Sequence, residues 1–167
     1  MPVLCPRSPA SPFTREEASL DDKVSAAAYS RDTAWGMSEE NVEIVQRAIA
    51  AVNNRDLEGY LALCASDVEL ITPVAPIEGP NVGAPGIREF FLGIDEAMTE
   101  FNLDVVEFRA LDAQRVLAVG EVRTVSKGGF ASTLPLVNIY ELDGGKLRRI
   151  RVYNDHDAGL RAAGLRE

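Results

Sequence analysis

Alternation along the last β-rich run, carried on to residue 155, puts Arg149, Arg151, Tyr153 and Asp155 on one face of a strand and Ile150, Val152 and Asn154 on the other. On the β-rich run before it, Leu134, Leu136, Asn138 and Tyr140 share a face; on the one before that, Glu121 and Arg123 share a face with Leu117, Val119 and Val125. Arg123, Asn138, Arg151, Tyr153 and Asp155 could thus converge within an apolar cavity, the usual form of a small-molecule site. A second reading competes with it. Arg151 and Asp155 also fit an exposed ion pair of little energetic value, with Tyr153 in the core and its hydroxyl at the rim.

The other residues with chemical potential are sparse. His156 is the only histidine and stands between Asp155 and Asp157, which would both favour its charged form. The same stretch reads as a strand giving way to a helix capped by Asp157, which leaves His156 solvated. One histidine excludes a histidine-rich metal site, and the acidic pairs Glu16-Glu17, Asp21-Asp22 and Glu39-Glu40 read as solvated, so no metal is expected. Cys5 and Cys64 lie far apart with no CxxC, which argues against a disulfide framework. Lys127-Gly128-Gly129 is a hairpin turn, and no phosphate-binding glycine motif precedes a helix. The expectation is a protein without cofactor.

The elements that must position these residues follow from length and pattern. A chain of 167 residues suffices for one domain with a core. At 46% hydrophobic and 26% charged it has the composition of a globular protein, and no apolar run approaches a membrane span. The net charge of −9 argues against binding a nucleic-acid backbone. The cytoplasm is the default compartment. Residues 1–36 hold Pro2, Pro6, Pro9 and Pro12 followed by small and charged residues, with neither a secretory signal nor a transit-peptide composition. They are expected to be a disordered extension, with Met37 a candidate start and 37–167 the folded domain.

Within 37–167, Ser38 can cap a helix on which Val42, Val45, Ile49 and Val52 recur at helical spacing. Asp56 can cap a second helix with Leu57, Tyr60, Leu61 and a buried Cys64. Val68–Thr72 reads as a strand and Pro73–Gly86 as a long loop, followed by a third helix with Ile87, Phe90, Phe91, Ile94, Met98 and Phe101 on one stripe. Four β-rich runs come next, at 103–110, 115–126, 130–142 and 146–154, separated by turns at Asp112-Ala113-Gln114, Lys127-Gly128-Gly129 and Asp143-Gly144-Gly145. A short helix closes the chain near Ala158–Ala163. The order α-α-β-α-β-β-β-β predicts an α+β fold. Val116, Ala118 and Val122 on one face of the 115–126 run and Leu117, Val119 and Val125 on the other suggest a sheet buried on both sides, and hence a homodimer through the sheet.

Several segments resemble a known family. Val45-Gln46-Arg47, Ala50-Ala51-Val52-Asn53 and Asp56-Leu57-Glu58-Gly59 are similar to the opening of SnoaL-like and ketosteroid isomerase-like proteins. Gly86-Ile87-Arg88-Glu89-Phe90-Phe91 and the ending Tyr153-Asn154-Asp155 with Gly159-Leu160-Arg161-Ala162-Ala163-Gly164-Leu165 extend the likeness over nearly all of 37–167. The resemblance is to the nuclear transport factor 2-like superfamily. It implies a cone-shaped, curved antiparallel sheet wrapped around the helices of the N-terminal half and enclosing an apolar pocket. Tyr60 and Phe90, core-facing residues of the helices, would line that pocket with Arg123, Asn138, Arg151 and Tyr153.

The resemblance also says which chemistry to look for. Where ketosteroid isomerases carry a helix Tyr, a strand-end Asp before Pro and a later protonated Asp, this chain aligns Ala48, Thr72 and Val137. Limonene-type epoxide hydrolases use an Asp-Arg-Asp set; Arg123 can match the Arg, but the Asp positions fall on Val125 and Val152. Polyketide cyclases of the SnoaL kind use one carboxylate near the end of the sheet, and Asp155 is the nearest candidate. The expectation is a pocket for a small apolar or polyketide-like molecule, with cofactor-free acid/base chemistry of cyclase, isomerase or hydrolase type carried by Asp155. The alternatives are a non-catalytic module binding a hydrophobic ligand, or a dimerisation module.

Overall fold

The computed structural model describes residues 38–165. The expected extension over 1–36 lies outside them.

Helix α1 covers 38–53, and Val45, Ala48, Ile49, Ala51 and Val52 form its buried side. Its polar start is tied across the fold, where Asn41 Nδ2 donates to the Ala113 carbonyl at 2.9 Å. The turn Asn53-Asn54-Arg55 then clamps a distant strand. Asn53 exchanges two hydrogen bonds with the Leu103 backbone, at 2.8 and 3.0 Å, while Arg55 Nη1 donates to the Phe101 carbonyl at 3.1 Å. Helix α2 (Leu57–Ala62) is capped by the Asp56 carboxylate, which accepts the Gly59 N–H. Strand β1 (Cys64–Ile71) follows at once, so Cys64 stands on a strand and not on the helix expected for it.

The proline- and glycine-bearing segment expected as a loop holds more structure than that. It contains a one-turn helix α3 (Ala75–Glu78), a two-residue strand β2 (Asn81–Val82) and the first turn of α4 (Gly83–Ala97). Helix α4 stops at Ala97, short of Phe101. From Met98 the chain pairs with a neighbouring strand instead, Met98 opposite Ser126 and Phe101 opposite Thr124, and this long ladder outweighs the helical spacing of two apolar residues. The remaining elements are β3 (Met98–Ala110), β4 (Arg115–Ser126), β5 (Ala131–Asp143), β6 (Lys146–Tyr153) and α5 (His156–Ala162).

The six strands form one curved, unclosed sheet in the order β2-β1-β6-β5-β4-β3. The α+β architecture is the expected one, with one difference: β1 runs parallel to β6, with Glu69 opposite Arg149. A parallel pair needs a long connection, and here α4 and three hairpin strands supply it. The concave face packs on α1, α2 and α4 around Val45, Val68, Ile87, Val116, Leu147 and Ile150. On the convex face Leu117, Val137 and Ile139 form a smaller cluster with Ala163. Helix α5 packs on this cluster through Gly159 and Leu160; along the outer side of β4, Leu117 is buried while Val119 and Val125 are half-buried. Among the described residues no helix is long and apolar enough to cross a membrane, and no group of three His, Cys, Asp or Glu side chains could hold a metal.

Candidate functional site

A cavity of about 430 Å³ lies between the concave face and the helices. Its inner end is closed by Val52 of α1, Tyr60 of α2, and Asn138, Tyr140 and Ile150 of the sheet, most of them core residues. Its outer end opens beside the β4–β5 turn, where Phe130 is 74% and Leu134 46% exposed. Strand register explains which residues reach it. Val122 faces Leu134, Thr124 faces Ser132, Asn138 faces Val152 and Tyr140 faces Ile150, so these sheet residues of the lining sit in pairs across the ladders. The Asn53 and Arg55 clamp sets the far wall by holding Phe101 and Leu103 of β3 against α1. Tyr60, Phe90, Phe91 and Phe101 pack edge to face, with ring centroids 5.5 to 6.4 Å apart.

No described lining residue carries a formal charge at neutral pH. The polar groups are hydroxyls and amides, and the innermost of them are buried. Asn138 Nδ2 donates to the Tyr140 hydroxyl at 3.0 Å, and Asn138 Oδ1 has no hydrogen-bond partner. Burial pushes the Tyr140 phenol up to about 12, with the Asn138 hydrogen bond opposing the shift. Tyr60 is raised well above its ordinary value, first by burial and then by its neighbours Tyr140 and Cys64. Both phenols are therefore neutral hydrogen-bonding groups at physiological pH.

The expected site residues divide between the two faces of the sheet. Tyr60, Phe90 and Asn138 line the cavity. Arg123 does not. It points to the other face and pairs with Asp104 at 2.6 Å. Arg151, Tyr153 and Asp155 lie in a neighbouring cleft with Ile71 and Pro76. This cleft shares Thr72, Pro73, Val152 and Asn154 with the cavity. Alternation did group these side chains correctly on each strand. What it does not state is which group faces inward, and on β6 the inward set is Ile150, Val152 and Asn154. The Asp155 carboxylate is engaged locally, accepting the Ala158 N–H at 3.0 Å as the N-cap of α5, the role expected of Asp157. His156 opens that helix and is exposed.

The family positions fall out in the same way. Ala48 is core, Thr72 lines the cavity, and Val137 is buried on the convex side under α5. Counting back from the glycine turn thus lands one residue away from the inward-facing Asn138. Tyr140 lines the cavity without being among the expected site residues. Its signal was an Asn-x-Tyr pair on an otherwise apolar strand face.

Comparison with known proteins agrees with this architecture. The sequence profile described as a SnoaL-like domain matches residues 45–150. A nuclear transport factor 2-like protein from Burkholderia xenovorans superposes with a TM-score of 0.60 at 30% identity, over 75% of this chain and 96% of that one. A second from Burkholderia pseudomallei gives 0.64 at 25% identity, over 73% and 95%. TerC, solved in a co-crystal with polyporic acid, gives 0.63 at 26% identity, over 75% and 98%. No curated protein matches the chain. With more than half of its length matched by the profile, and the helices and sheet arranged as in these structures, the chain belongs to the SnoaL-like domain family.

Proposed function

We propose that this domain binds a small, mainly apolar, uncharged molecule in the cavity between its sheet and helices. The observation that carries the reading is the lining itself: apolar side chains throughout, a few neutral hydroxyl and amide groups, and no ionised group among the described residues. An anionic or cationic ligand would lose its hydration there without gaining an opposite charge, a loss of several kcal/mol or more. The co-crystal of TerC with polyporic acid supports a small-molecule ligand on this fold.

The same lining weighs against acid/base turnover. A general acid or base works best with a pKa near the working pH, and the innermost titratable groups, Tyr60 and Tyr140, are both shifted upward, away from it. Ligand binding without such chemistry is the reading that the geometry supports best.

Titration of the purified protein with Nile red, a neutral apolar dye, tests it. The expected result is a saturable fluorescence rise with one site per chain, competed by small aromatic hydrocarbons. A linear, non-saturable response would reject the binding reading.

A further inference from the structure

The inner end of the cavity carries a hydrogen-bonding pair that is half complete. Asn138 is 4% exposed, its Nδ2 donates to the Tyr140 hydroxyl at 3.0 Å, and its Oδ1 is buried without a partner. Both residues line the cavity. With the amide in this orientation the phenol oxygen accepts, so the phenol O–H remains to donate and Oδ1 remains to accept. Turning the amide over, which exchanges two atoms of nearly equal size, only swaps the roles. Tyr140 then donates to Oδ1, leaving Nδ2 to donate and the phenol oxygen to accept. In either orientation the pair leaves at least one donor and one acceptor unfilled at the inner end of the cavity.

That requirement is selective. A hydroxyl group is both donor and acceptor and can complete the pair. A ketone or an ether accepts only, and leaves the amide or phenol acceptor unfilled. An unfilled buried polar atom costs about 1–3 kcal/mol, which corresponds to roughly tenfold or more in affinity. Deeper burial than at the mouth raises the stake, because water reaches the Thr124, Ser126 and Ser132 hydroxyls more easily than it reaches Asn138.

We infer that the ligand of this cavity is an apolar alcohol or phenol whose hydroxyl seats on Asn138 and Tyr140, and that these two residues set a preference for hydroxyl over ketone or ether. The inference rests on the small-molecule reading above and specifies the ligand's polar end.

Calorimetric titration of the full chain with two matched pairs tests it: 2-naphthol against 2-methoxynaphthalene, and 4-phenylphenol against 4-methoxybiphenyl. The expected result is that each phenol binds about tenfold or more tightly than its methyl ether. In Asn138→Leu and Tyr140→Phe that ratio should fall at least threefold. Circular dichroism first establishes that each variant is folded, and the wild-type ratio stands independently of both. Equal binding of phenol and ether to the wild type, as a permanently held bridging water would produce, overturns the hydroxyl inference and leaves the apolar cavity intact. A preference that persists unchanged in both folded variants overturns the assignment to Asn138 and Tyr140. Binding of none of the four compounds overturns the cavity reading and the inference with it.

Discussion

Asp155 shows how one carboxylate can be read two ways. Its place at the end of the sheet suits an acid/base catalyst, yet it accepts the Ala158 N–H and starts α5. Replacing an N-cap Asp by Ala removes the partner of an orphan helix N–H and costs about 1 kcal/mol, whereas Asn caps nearly as well. Asp155→Ala is therefore expected to lower stability to urea by about that amount, Asp155→Asn to change it by less than half as much, and neither to alter Nile red affinity. A loss of binding in folded Asp155→Asn would return this residue to the ligand site. Asn138 is the opposite case. It looks like an ordinary polar interruption of an apolar strand face, and only the surrounding burial shows that its amide oxygen lacks a partner.

Helix α5 is held against the convex face by a close approach between two small surfaces. A Cβ on Gly159 would come within 2.5 Å of the Val137 Cβ and Cγ1, closer than real contacts allow. Gly159→Ala is expected to destabilise the fold by roughly 1–3 kcal/mol through overpacking. Adding Val137→Ala should recover part of the loss, and a double-mutant cycle by urea denaturation measures the coupling. Additive losses would mean that the helix shifts freely. The elements themselves were largely legible. Helical spacing located α1 and α4, and glycine turns marked the hairpins of β4, β5 and β6. The segment after β1 was not, because the two-residue β2 is stabilised by pairing with Leu70 and Glu69 and by nothing periodic of its own. The site was half legible for a related reason. Period-two alternation defines two faces, but on β4 both are apolar, and the choice between them depends on where the helices pack.

At the scale of the whole molecule, three groups are shifted in the same direction. Burial pushes Tyr140 and Cys64 each up to about 12, and Tyr60 rises with them. In the unfolded chain these groups release protons at ordinary, lower values. Between those values and the folded ones the native state holds more protons, so stability is full below about pH 9 and falls as pH rises toward 12. For Tyr140 alone, raised from 10.0 to about 12, the loss is roughly 2–3 kcal/mol. Melting temperatures recorded from pH 8 to 12 should fall across that window, less steeply in Tyr140→Phe than in the wild type. A flat profile in the wild type would show these groups to be solvated.

The parallel pairing of β1 with β6 bears on how the protein assembles. Strands β3 to β6 join through short turns and need little loop closure, so they can form early. The β1–β6 ladder brings together residues such as Glu69 and Arg149, 80 positions apart along the chain. Such distant contacts carry a large entropy of closure and tend to form slowly. That pairing is also part of the cavity, because Leu70 of β1 and Ile150 of β6 stand opposite each other in it and both line the pocket. A molecule seated there bridges the most distant closure of the sheet, so occupancy of the pocket stabilises the β1–β6 pairing along with the pocket itself.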